Sequence, residues 1–249
     1  MTESLQYLKP LFINNDSQSL VLFLSGDGMT NDFEGISKRL NEETSAHDYL
    51  SFTYRGSAEG FSQSLPAIIE DADTIAKQFF TKYKEVHLVC TSTGAVPSIF
   101  LLCNPEWNAK IRKVVFLDPA DYYMPTSNDT QLVGNYPWGG AAAYSPTHKT
   151  VSDMLLKYNG SALIHVAGFT LRNTKGESYY PSEVRHLDHE GGFPRMNQEM
   201  VKAFYDKIPT QNKGKHMMLN DVPHAYVRDG VIEKNLSILT ELITELLEG

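Results

Sequence analysis

Six short runs of nearly unbroken apolar sequence constrain this chain more than any other feature. They are "SLVLFLS" (19–25), "DYLSFTY" (48–54), "EVHLVC" (85–90), "KVVFLD" (113–118), "SALIHVAGF" (161–169) and "KHMMLN" (215–220). Each is too short for a buried helix, and all but the last are rich in β-branched or aromatic residues. None alternates cleanly between apolar and polar positions, as a strand with one wet face would. Strands covered on both faces read this way, and that is the condition of a parallel sheet between helical layers.

The intervening sequence supplies those layers. "NDFEGISKRL" sets Phe33, Ile36 and Leu40 on one helical face behind Asn31 as a candidate cap. Residues 66–83 do the same with Ile68, Ala72, Ile75, Phe79 and Tyr83. "AVPSIFLL" follows the third run directly, and the C-terminal stretch repeats Ile232, Leu236, Leu239, Ile243 and Leu246 at helical spacing. Strand and helix therefore alternate, which predicts a doubly wound α/β sandwich with a mostly parallel sheet. A chain of 249 residues suits one such domain, and no linker or repeat divides residues 1–249.

Two stretches interrupt the alternation. Residues 121–160 are crowded with Tyr, Pro, Gly and Trp before a short helical pattern near "VSDMLLKY", and residues 170–195 are polar and Gly-rich. Segments this long inside a compact domain serve as lids or binding loops, or pack their aromatics as surface excursions. The first is expected to be a lid-like insertion after the strand ending near Asp118.

Charge narrows the partners. Thirty acidic against 22 basic side chains give a net charge of −8, which repels phosphate backbones and anionic lipid surfaces, so nucleic acid is not an expected partner. No run approaches the roughly 18 apolar residues of a membrane span. The N-terminus carries Glu3 where a signal peptide would be basic. The two cysteines, Cys90 and Cys103, read as separate thiols of a reducing compartment, so a cytoplasmic location is expected.

Chemistry is concentrated where the third run meets its helix, at Cys90-Thr91-Ser92-Thr93-Gly94. A strand that passes at once into a helix needs a tight turn whose apex side chain is held out in a strained position, useful for a nucleophile. Ser92 occupies that apex, although a serine before a helix is also a good N-cap. The segment resembles the nucleophile elbow of the α/β-hydrolase family, small-x-nucleophile-x-small, with Gly94 in the second small position and Cys90 where the family usually has Gly.

A serine nucleophile requires a base, generally a histidine oriented by a carboxylate. Of eight histidines, His87, His165 and His216 fall inside strand patterns, while His47, His148, His186 and His189 fall in loops. His224 follows the last run and precedes the final helix, where the resemblance places the base. For the acid, the resemblance to lipases that carry it one strand early favours Asp118 in Leu117-Asp118-Pro119-Ala120; Asp121, Glu177 and Asp188 remain alternatives. Asp118 before Pro119 would equally suit a plain turn.

The resemblance further implies an oxyanion hole from the backbone N–H groups of Thr93 and of Asp27, in Ser25-Gly26-Asp27-Gly28, with the Asp27 carboxylate turned away or paired with Arg55. Tyr122, Tyr123, Tyr136, Trp138 and Tyr144 are expected to line an apolar acyl pocket. The implied activity is hydrolysis of a carboxylic ester or thioester in a small-molecule acyl substrate, with no cofactor and no metal. "HLDHEGG" (186–192) matches no familiar metal-ligand spacing, and no phosphate-binding glycine motif follows the first run. Two other readings share the fold: a non-catalytic ligand-binding protein, for which Cys90 and Asp27 argue, and an acyltransferase or lyase.

Overall fold

A computed structural model describes residues 7–26, 33–55, 64–122, 149–169, 198–219 and 232–249, with the side chains of 198–200 and 232–235 left out. Seven strands form one sheet: β1 (Leu11–Ile13), β2 (Ser19–Leu24), β3 (Asp48–Ser51), β4 (Glu85–Ser92), β5 (Ile111–Pro119), β6 (Leu163–Phe169) and β7 (Lys213–Leu219). Their order across the sheet is β1-β3-β2-β4-β5-β6-β7. Every pairing is parallel except that of β1 with β3.

The apolar runs have the cause expected of them. Successive side chains of a strand point to opposite faces, and here both faces are buried. On one, Leu20, Leu22 and Leu24 of β2, Leu88 and Cys90 of β4, and Val114 and Phe116 of β5 pack in a single cluster with three helices. These are α2 (Leu65–Phe79), α3 (Ala95–Cys103) and α4 (Gln198–Asp206). On the other, Val21, Phe23, Val89, Val115, Leu117 and Ala167 meet α1 (Glu34–Glu43) and α5 (Ile232–Glu248). At about 25 cal/mol per Å² of apolar surface, these two buried faces are the main favourable contribution to folding.

Helix starts follow local chemistry to differing degrees. Ser64 caps α2, accepting from the Ala67 N–H at 3.4 Å, with Pro66 in the first turn where its missing N–H costs nothing. The α1 N-cap residue is Phe33, with no side-chain cap; Asn31 lies outside the described residues. The "VSDMLLKY" pattern forms a 3₁₀ helix over Val151–Lys157, closed by a capping box between Thr150 and Asp153.

The strand order fixes where a ligand site would lie. From β2 the chain moves to β3 on one side, then crosses back to β4 on the other. In open parallel sheets, ligands bind beyond the carboxyl ends of the strands where the order reverses. Ser25, just after β2, and Ser92, the last residue of β4, stand at that point.

Candidate active site

Ser92 has φ of 50°, in the left-handed region that non-glycine residues rarely occupy and that costs about 1–2 kcal/mol. From Val86 to Ile99 every residue is buried except Ser92, which is partly exposed. The backbone around it is tied on both sides: the Gly94 N–H donates to the Thr91 carbonyl at 2.8 Å, and the Ala120 N–H donates to the Ser92 carbonyl at 3.0 Å. Strain of this kind persists only where surrounding bonds over-determine the turn.

Gly94 is needed for space rather than for dihedral freedom, since its φ is −57°. A Cβ there would stand 2.1 Å from the Leu24 carbonyl oxygen and 2.7 Å from that of Ser25. The start of α3 is thus pressed onto the end of β2, which draws the apex of the turn to the point where strand order reverses. Gly94 is also the N-cap residue of α3, and no side chain caps the helix. Ser92 therefore does not serve as the helix cap, the bland role its sequence position allowed.

Cys90 lies on the core side of the same strand. It is fully buried, its thiol 3.6 Å from the Val115 carbonyl it donates to, and burial pushes its pKa far above the ordinary thiol value. That environment suits a structural thiol and disfavours the thiolate a nucleophile requires. Cys103, at the end of α3, is likewise free, with burial raising its thiol to about 11.

Asp118 stands on the neighbouring strand at the same edge. The β4–β5 register runs from Thr91 opposite Leu117 to Ser92 opposite Pro119, so Asp118 is the extra residue of a bulge. Its φ of 45° is tolerable for Asp, whose short polar side chain bonds locally. The carboxylate is buried and accepts from the Phe169 N–H, at the end of β6, at 3.2 Å. The two left-handed residues Ser92 and Asp118 thus lie side by side on paired strand ends.

Asp121, the alternative acid three residues on, is differently engaged. One of its carboxylate oxygens accepts from the backbone N–H groups of Tyr122 (3.0 Å) and Ser152 (3.1 Å), and the other from the Ser152 hydroxyl. The Lys207 ammonium lies 3.4 Å away and also donates to the hydroxyls of Ser152 (2.6 Å) and Thr150 (2.8 Å). With its acceptor capacity spent on this buried cluster, Asp121 is a structural anchor.

Thr93 is buried, and its hydroxyl lies 2.6 Å from the phenol oxygen of Tyr122, which is itself fully buried. Neither the Tyr122–Thr93 pair nor the Asp121–Ser152–Lys207 cluster leaves a motif in the sequence. Arg55 is committed to α2, with its Nε 2.5 Å from Asp71 and its terminal nitrogen 2.9 Å from Glu70. His224, Asp27, Tyr123, Tyr136, Trp138, Tyr144, Glu177, Asp188 and "HLDHEGG" lie outside the described residues, as does most of the 121–160 insertion. No helix among the described residues is long and apolar enough to cross a membrane.

No protein-family model and no curated protein sequence matches the chain. Solved structures do. A lipase-esterase related protein from Clostridium acetobutylicum superposes with a TM-score of 0.59 at 14% identity, over 96% of this chain and 99% of that one. A monoacylglycerol lipase from Paleococcus ferrophilus gives 0.60 at 12% identity, over 96% and 98%. Monoglyceride lipase from Saccharomyces cerevisiae gives 0.55 at 10% identity, over 95% and 90%. Identities this low speak to architecture alone, and on architecture they agree with a mostly parallel seven-stranded sheet flanked by helices: the chain has the α/β-hydrolase fold.

Proposed function

We propose that this protein is a serine hydrolase that cleaves a carboxylic ester or thioester through an acyl-enzyme on Ser92, with His224 as base and Asp118 as the carboxylate that orients it. The observation that carries the reading is the left-handed, partly exposed Ser92 at the carboxyl end of a central strand, in a segment otherwise buried. A serine needed only for packing would have no reason to occupy so costly a conformation. The lipase and esterase names among proteins that share the fold point the same way.

In this mechanism the Ser92 hydroxyl oxygen attacks the carbonyl carbon while its proton passes to His224. The carbonyl π pair moves onto oxygen, where the backbone N–H groups of Thr93 and Asp27 receive the negative charge. Among the described residues the Thr93 N–H has no other acceptor. Collapse of the intermediate expels the alcohol or thiol, which takes the proton from His224. Water, deprotonated by the same histidine, then releases the acid and restores Ser92. Each oxyanion donor contributes about 3 kcal/mol in comparable sites. Asp118 holds the imidazole in its working tautomer.

The test is covalent labelling by a fluorophosphonate, read by peptide mapping. The adduct is expected on Ser92 in the wild type and absent in Ser92→Ala. An adduct on another serine, or none with active protein, overturns the assignment.

A further inference from the structure

Tyr122, which the sequence suggested as part of an acyl pocket, is fully buried with its hydroxyl 2.6 Å from that of Thr93. Thr93 sits between the strained Ser92 and the sterically locked Gly94; the Ser92–Thr93 peptide is tied at its carbonyl by the Ala120 N–H and the Thr93 carbonyl by the Val96 N–H, both at 3.0 Å, and the Tyr122 hydroxyl adds the side-chain tie that completes the turn. Resting on the reading of Ser92 as nucleophile, we infer that Tyr122 is a positioning residue: its hydroxyl fixes Thr93 so that the Thr93 amide faces the developing oxyanion.

Tyr122 is well placed to exert that hold because it is itself immobilised. Its N–H donates to Asp121 at 3.0 Å and its carbonyl accepts from Val151 at 2.7 Å. Asp121 is fixed in turn by Ser152 and Lys207, and Lys207 is paired with Asp153 at 2.8 Å. The chain therefore leaves β5 through a clamp of buried hydrogen bonds, and the clamp ends at the residue after the nucleophile. Oxyanion stabilisation depends on donors set before the reaction begins, and small displacements of the donor cost rate rather than binding. Removing the phenol oxygen would leave the Thr93 hydroxyl buried without a partner, and a backbone shift at Thr93 that relieves this would carry the Ser92–Thr93 peptide and its N–H with it.

The experiment compares hydrolysis of a short p-nitrophenyl ester by the wild type, Tyr122→Phe, Thr93→Val and the double variant. Inhibition by an aryl trifluoromethyl ketone, which mimics the tetrahedral oxyanion, is measured for each. Tyr122→Phe should lower kcat on the order of tenfold with KM within about twofold, and should weaken the ketone by a similar factor. Thr93→Val should match it, and the double variant should be no worse than either single, as expected of one shared bond. Thr93→Ser, which keeps the hydroxyl, should recover most of the rate that Thr93→Val loses, and the difference between these two variants decides the matter if Tyr122→Phe does not fold. Wild-type kcat in both Tyr122→Phe and Thr93→Val overturns the inference, as does a loss confined to KM, which would return Tyr122 to substrate contact. Absence of turnover in the wild type overturns the hydrolase reading itself; turnover with normal variants overturns only this inference.

Discussion

The two ends of the sheet both carry buried polar residues, yet they are built in opposite ways. At the carboxyl end, Ser92 and Asp118 sit on paired strands with left-handed backbone, a bulge between them and hydrogen bonds closing the turns. At the amino end, His47 just before β3, His87 on β4, Lys113 on β5 and His165 on β6 form a row with no left-handed residue, although the ladder shifts register beside His87 and His165 as well. There His47 bonds Ser19 at 2.8 Å, the His47 and His87 rings lie 5.2 Å apart, and the Lys113 ammonium caps the Leu247 carbonyl of α5 at 2.7 Å. Burial depresses His87 to about 3 and His165 to about 4, helped by the positive charge of Lys113. Strongly shifted titration thus occurs five residues from Ser92 on the same strand, roughly 16 Å away. Perturbed titration therefore does not distinguish the proposed site from the opposite end of the sheet, whereas backbone strain combined with exposure does.

The largest expected effect breaks the carboxyl end chemically. Ser92→Ala and His224→Gln should each reduce ester turnover by about 10⁴-fold or more, measured by steady-state kinetics, with folding retained by circular dichroism. Asp118→Asn should cost on the order of a thousandfold, since the histidine loses its orienting partner; a near-normal rate would move the acid to Glu177 or Asp188. The same substitutions have no counterpart at the amino end, where His87→Leu should leave kcat within about twofold.

Stability tests sharpen the contrast. Gly94→Ala forces a Cβ against two backbone carbonyls at 2.1 and 2.7 Å, which cannot swing aside as a side chain would. A loss of about 3 kcal/mol in denaturant unfolding is expected.

Acid should act through the amino end instead. A folded pKa held below the unfolded 6.5 means that the unfolded state binds the proton first. The stabilisation associated with neutral His87 is therefore complete above pH 6.5 and is lost as pH falls from there toward about 3. By pH 5 that loss is about 2 kcal/mol. The His47, Glu85, Arg112 and Lys113 charges surround the ring, and His87→Leu should flatten the pH dependence of unfolding while theirs remains.

Much of this was legible in the sequence for identifiable reasons. Five of the six strands announce themselves because two buried faces leave little room for polar positions, while β7, at the sheet edge, is only partly buried and carries Lys213, Lys215 and His216. The turn at Ser92 is legible because only Gly fits at 94. The three-residue β1 was missed: it is too short for any periodicity and pairs antiparallel at an edge, where partial exposure is allowed. Helix α4 was also missed, although Val201, Phe204 and Tyr205 carry helical spacing, because it follows a long polar stretch. The Tyr122–Thr93 and Lys207–Asp121 contacts join residues 29 and 86 positions apart. Single side-chain contacts across such separations leave no periodic trace, and only the folded sheet brings them together.

The closure between Tyr122 and Val151 has an evolutionary consequence. Because one backbone hydrogen bond and the Asp121 anchor join Tyr122 to Val151 and Ser152, changes in the length or sequence of residues 123–148 need not disturb the ladder that seats Ser92 beside Asp118. On the proposed function, new substrate preferences would arise by replacing that span as a cassette, without rebuilding the proposed reaction centre.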